Sequence, residues 1–139
     1  MNRHNRRYSG QAMVEMSVVL VLLTTLIFGA VSALQILMAK YTLAQAARVA
    51  AHQAALIGGD DGPEGTVTAL ARDVIDSGMG TRSERATISI SCSSDPCRRY
   101  ESITVSIGYR DELWVPIGPF AEVVAHASAT RAAERDQQP

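Results

Sequence analysis

From Met16 to Leu34 the sequence holds nineteen residues without a charge, and this run constrains the architecture more than any other feature. Its polar side chains are Ser17, Thr24, Thr25 and Ser32, and the apolar character continues past Gln35 to Ala39 before Lys40 closes it. As a helix, Met16 to Ala39 spans about 36 Å, enough to cross a hydrocarbon core of about 30 Å with some tilt. The overall hydrophobic fraction of 47% hides this uneven distribution. Outside the run the polarity is ordinary, so the expectation is one membrane span joined to one small domain.

The flanks and the cysteines suggest an orientation. Arg3, Arg6 and Arg7 precede the span with no acid among them, whereas Lys40 and Arg48 follow it more sparsely. The positive-inside rule then keeps the N-terminus cytoplasmic and sends the larger C-terminal part across. Cys92 and Cys97, separated by the turn-forming "SSDP", would both be exported into a compartment that permits a disulfide. Zinc competes poorly, because the remaining ligands would have to come from His4, His52 and His126, all distant in sequence.

Net charge is −1, and setting aside the three leader arginines leaves ten basic against fourteen acidic side chains. No basic stripe with interleaved aromatics appears, which argues against a nucleic-acid partner. Catalytic patterns are missing too: no GxSxG, HExxH or phosphate-binding loop occurs, and His126 stands among alanines without a nucleophile or acid arranged near it in sequence. The sequence therefore points to no enzyme, no cofactor and no metal. "GGDDGPEG" lacks the alternating ligands of a calcium loop, and Asp60 and Asp61 read as caps for a following helix.

Three readings of the N-terminus stay open. A secretory signal would be cut after "VSA", leaving Leu34 first; an uncleaved anchor would keep the whole span; a prepilin-type leader, residues 1–10, would be cut between Gly10 and Gln11. Glu15 bears on the choice. An acid inside the membrane is costly, about 2.5–3.5 kcal/mol on insertion scales, and is a functional suspect. If Gly10 were the last leader residue, Glu15 would fall in the first turns of the mature helix, where the positive end of the macrodipole favours a carboxylate. It could then pair with the new ammonium of Gln11 on a neighbouring subunit. A solvated interfacial charge is the plainer alternative.

Beyond the span, "LAQAARVAAHQAALI" has seven alanines and no Gly or Pro, so one helix is expected from Gln11 to Ile57, stopped by "GGDDGP". Leu34, Leu37, Tyr41, Ala44, Ala47, Ala51 and Ala55 recur at helical spacing as a narrow apolar stripe. The head, residues 58–133, should add a second helix over Pro63 to Ser77. Three strand patterns follow: "ATISISC", "SITVSIGY" and "EVVAHASATR". "RDELWVPIGPF", Arg110 to Phe120, reads as an irregular connection. Its Leu113, Trp114, Ile117 and Phe120 would cap the sheet, or else form an exposed patch. Residues 134–139 read as a disordered tail. The fold class is thus α+β and pilin-like, a long N-terminal helix carrying a head with a second helix and a three-stranded antiparallel sheet.

"GQAMVEM" before a long span, the alanine-rich "AQAARVAA" ending near "GG", and the terminal "ITVSIGY…P…P…ASATR" together resemble the TadE-like family, minor pilins or pseudopilins of tight-adherence (Flp, type IVc) pili. Two departures stand out: Met16 follows Glu15 where the family usually has an aromatic, and the span lacks the family's common proline. The resemblance implies cutting between Gly10 and Gln11 by a prepilin peptidase. It also implies residence in the cytoplasmic membrane and partnership with other pilins, the Tad inner-membrane machinery and lipid. Glu15 and Gln11 would serve recognition between subunits. Against this stands a signal-anchored or secreted binding domain that belongs to no pilus.

Overall fold

The computed structural model describes residues 5–62, 64–117 and 120–136, and for 5–10, 117 and 120 the backbone path alone. Five elements build the chain in the order α1 (Asn5–Ile57), α2 (Thr66–Asp76), β1 (Ala86–Cys92), β2 (Ser102–Ile117) and β3 (Phe120–Ala132), with a short 3-10 turn at Ser83–Arg85. The strands form one antiparallel sheet in the order β1-β2-β3. The expected α+β architecture is the observed one.

α1 is a single helix of 53 residues, because no Gly-Pro or Pro interrupts it and its hydroxyl residues do not compete with its backbone. Ser17, Thr24 and Thr25 each donate back to the carbonyl one turn earlier, on Met13, Leu20 and Val21, at 2.7–2.8 Å. No polar group of these side chains is left to be solvated, which suits a lipid environment. The helix stops at Gly58, whose φ of +86° belongs to the left-handed region, and the N–H groups of Gly58 and Gly59 both bond to Ala54 O. A Cβ at Gly58 would stand 2.7 Å from the backbone oxygens of Arg135 and Asp136, so glycine is required there twice over.

The core lies along the upper half of α1. Leu43, Ala46, Ala47, Ala50, Ala51 and Ala54 are fully covered, facing Val67, Ala71 and Ile75 of α2 and Ile103, Val105, Ile107 and Val123 of the sheet. Alanine on the helix lets the sheet approach closely, while the branched strand residues fill the space between them. β1 contributes only half-buried side chains, Ile88, Ile90 and Cys92, as an edge strand does.

One expectation is corrected, and the apolar stripe proves to be divided. At its lower end Leu34, Leu37 and Tyr41 are 51–66% exposed, left to lipid or to other subunits, whereas Ser32 and Gln35 are buried. The segment Arg110 to Ile117 is strand rather than irregular connection, with a register shift between Glu112 and Ile117. One cause explains both, because the extended strand takes its missing hydrogen bonds from the polar side chains of α1. Of the expected cap residues, Leu113 joins the core and Trp114 is 55% exposed; the side chains of Ile117 and Phe120 lie outside the described residues. α2 begins at Thr66, its first N–H groups accepted by the Asp61 carboxylate, which bonds Thr66 N and Val67 N. Asp61 thus caps as expected, while Asp60 accepts instead from Gly62 N at 2.9 Å; Pro63 is not among the described residues. The start of the expected tail is held, since Glu134 N bonds Ala55 O and Asp136 accepts from Arg99 N, both at 2.8 Å. Residues 137–139 lie outside the described ones.

Candidate assembly interface

α1 divides into two lengths by what surrounds it. Every residue from Gln11 to Phe28 is exposed, including Val14, Val18, Val21, Leu22 and Leu26 at 55–68%. From Ser32 upward one face is buried under the head. A globular chain does not leave so many large apolar side chains uncovered on all sides of a helix; lipid or other copies of such helices must cover them. α1 is long and apolar enough to cross a membrane.

At the foot of this uncovered length stand the residues singled out in the sequence. Gln11 and Glu15 are one turn apart on one face, with Gln11 Nε2 donating to Glu15 Oε1 at 3.1 Å. Glu15 carries the one charge between Gln11 and Ala39, and it is exposed. α1 begins at Asn5 and runs through the Gly10–Gln11 bond, while the side chain environment of residues 1–10 lies outside the described ones.

Where the head meets α1, three side-chain bonds fix the junction. Gln35 donates through Nε2 to Glu112 O at 3.0 Å and accepts through Oε1 from Trp114 N at 2.8 Å. Ser32 Oγ lies 2.9 Å from Val115 O and 3.1 Å from its own helix at Phe28 O, so one proton serves two carbonyls. Sequence reasoning did not assign these roles. A signal was available, since Ser32 and Gln35 share a face at i, i+3 within an apolar run, where a buried polar group must find a partner.

Beside the junction Asp111 is 6% exposed and well partnered. It accepts from Tyr109 O–H at 2.8 Å and Glu112 N at 2.9 Å, and faces the largely exposed Arg82 and Arg85 at 3.5 and 3.9 Å. Burial pushes its carboxyl up, but the bonds from Tyr109 and Glu112 and the two guanidinium charges outweigh that and hold it below its usual 3.8. Burial first, then the bond to Asp111, pushes the Tyr109 phenol to about 12. With a folded value below the unfolded one, the carboxylate stabilises the head above pH 3.8 and loses that effect as pH falls through the folded value. We expect Asp111→Asn to lower stability at neutral pH by about 1.5–3 kcal/mol, the worth of charged hydrogen bonds, and to flatten the acid limb. Melting curves of the two proteins between neutral pH and pH 2.5 check this; parallel acid limbs would remove the role.

At the far end of the head, Cys92 and Cys97 form a disulfide with Cα atoms 5.6 Å apart. It closes the β1–β2 loop against the end of α1, since a Cβ on Gly59 would stand 2.9 Å from Cys97 Sγ. Arg99 stacks over the Tyr100 ring at 4.7 Å on the same loop. The described residues thus hold an uncovered helix, one acid at its foot and a stapled head.

Residues 10–52 match the family model described as TadE-like protein, the stretch that carries the uncovered helix, Glu15 and the lower part of the core face. No curated protein and no solved structure was found to match the chain.

Proposed function

We propose that this chain, TadE-like over its first third, is a minor pilin or pseudopilin of a Tad-type pilus, a structural subunit rather than an enzyme. The observation that carries the reading is the helix left bare from Gln11 to Phe28 while its continuation is buried under a head. Such a helix resides in lipid before assembly and against other pilin helices afterwards, and the head stays outside. The leader ends at Gly10, prepilin peptidase cuts before Gln11, and the N-terminus faces the cytoplasm, as the leader arginines favour. Glu15 and the new Gln11 ammonium are then the recognition pair between subunits.

The geometry at Ser32 speaks against removal of the span by signal peptidase. A cut between Ala33 and Leu34 would sever Ser32 from the head it bonds through Val115 O, and leave Gln35 at a frayed chain end. Retention of α1 favours the pilin reading over the secreted one. Mass spectrometry of the mature protein from cells that carry the pilus genes should find Gln11 first, and Gly10→Ala should retain the full-length form. A mature chain beginning at Leu34 would end the proposal, and one beginning at Met1 would leave a signal-anchored binding domain in its place.

A further inference from the structure

The lower part of β2, Glu112 to Val115, is docked on α1 at a level that the membrane span itself determines. Counting from Met16, the first residue past Glu15, Ser32 lies about 24 Å and Gln35 about 28 Å along the helix at 1.5 Å per residue. A hydrocarbon core of about 30 Å that begins at Met16 therefore ends close to Gln35, and any tilt carries both residues deeper. Yet Ser32 and Gln35 are the residues that hold Val115 O, Glu112 O and Trp114 N. The strand is thus bound to α1 at the depth where headgroups give way to acyl chains.

Charge follows the same boundary. Arg110, Asp111, Glu112 and Glu122 are charged, whereas the sequence from Leu113 to Ala121 carries no charge at all. In α1 the run from Met16 to Ala39 is equally free of charge, and Lys40 is the first to return. At the junction Trp114 and Val115 of the one stretch bond to Gln35 and Ser32 of the other. Trp114 rests against Gly80, where a Cβ would collide with the indole ring, and the residue is 55% exposed. Tyr41, 66% exposed, stands about 37 Å from Met16 on the same helix, at headgroup level. Tryptophan and tyrosine collect at that depth because each joins an apolar ring to a hydrogen-bonding group.

We propose that the lower part of β2, around Trp114, is seated in the membrane surface, with Trp114 at the boundary between headgroups and hydrocarbon. The occupant of the exposed Trp114 surface is lipid, and the head is held against the bilayer instead of swinging on its helix. The proposal rests on the reading that α1 crosses a membrane, and on no feature of the pilus. It adds a consequence: a subunit leaving the bilayer must withdraw two elements, the helix and the lower part of β2.

Trp114 is the sole tryptophan, so the full chain can be tested without a label. After reconstitution into phosphatidylcholine–phosphatidylglycerol vesicles, flotation first reports whether the chain is membrane-embedded. The tryptophan emission should be blue-shifted and shielded from aqueous iodide. Lipids brominated near the headgroup should quench it severalfold more than lipids brominated near the acyl terminus. Gln35→Ala, with the disulfide intact, should lose much of that shallow quenching; unchanged quenching would overturn the docking argument. A chain that floats but whose tryptophan is red-shifted, open to iodide and untouched by brominated lipid would overturn the proposal while sparing the span. Shielding that grows with protein-to-lipid ratio and is indifferent to brominated lipid would assign the surface to a second copy instead. Failure to float would remove the span, and the proposal with it.

Discussion

Glu15→Ala should still be cut before Gln11 and should accumulate in the membrane, yet be lost from assembled pili. The expectation rests on where the carboxylate stands. It is one turn above Gln11, exposed, and followed by an unbroken apolar helix. Alone in lipid it can stay hydrated at the interface; packed among other pilin helices it cannot. An ion pair with a neighbour's Gln11 ammonium would offset the desolvation, and removing one partner of such a buried pair costs about 3–5 kcal/mol, a hundredfold or more in incorporation. Glu15→Gln separates shape from charge, since it keeps the bond to the Gln11 side chain but cannot neutralise an ammonium. Pilus yield by shearing and immunoblot, beside membrane levels of the mature form, gives the readout. Normal piliation by Glu15→Ala would remove the assigned role, whatever the fate of the leader.

Ala50→Leu should unfold the head while leaving the span helical, whereas Leu37→Ala should leave the head's stability unchanged. Ala50 is wholly covered in the cluster shared by α1, α2 and the sheet, so an isobutyl group there must displace its neighbours. Overpacking of this kind costs about 1–3 kcal/mol and sometimes more. A head of this size has a core worth only about 3–5 kcal/mol, so the loss approaches the whole. Leu37 is 65% exposed and faces away from the head. Limited proteolysis and thermal melts in detergent micelles measure both. An Ala50→Leu head that melts like the parent would mean that the sheet does not close on this face.

That pair of substitutions marks the limit of what periodicity could tell. The length and continuity of α1 were legible, because they follow from the absence of Gly-Pro and Pro and from the abundance of alanine, both local properties. Its stop at Gly58 and the three strand cores were legible for the same reason. Which way the lower half of α1 faces was not. Leu34, Leu37 and Tyr41 carry the larger apolar surface, and in water they would be buried first; at a membrane they lose nothing by facing lipid. Ser32 and Gln35 turn inward instead because their hydrogen bonds need protein partners.

The hairpin end was misread on similar grounds. "RDELWVPIGPF" has two prolines and no clean alternation, so nothing within it announces a strand. Arg110 to Ile117 is extended because Gln35 supplies both a donor and an acceptor to its backbone, across seventy-seven and seventy-nine positions. The candidate site divides in the same way. Glu15 and Gln11 stood out by their place between a basic leader and a span, and the cysteine pair by its turn-forming spacer, whereas Trp114 could not be assigned to cap or surface until the junction fixed its level.

The sequence by itself determined that there is one long helix, that its lower part is fit for lipid, and that a small α+β head follows. These are consequences of composition and short-range pattern. Only the tertiary structure decided which face of the helix the head covers and how far down the hairpin reaches. Both turn on hydrogen bonds between groups far apart in the chain, where two polar side chains inside an apolar run meet a strand that has no other neighbour on that side.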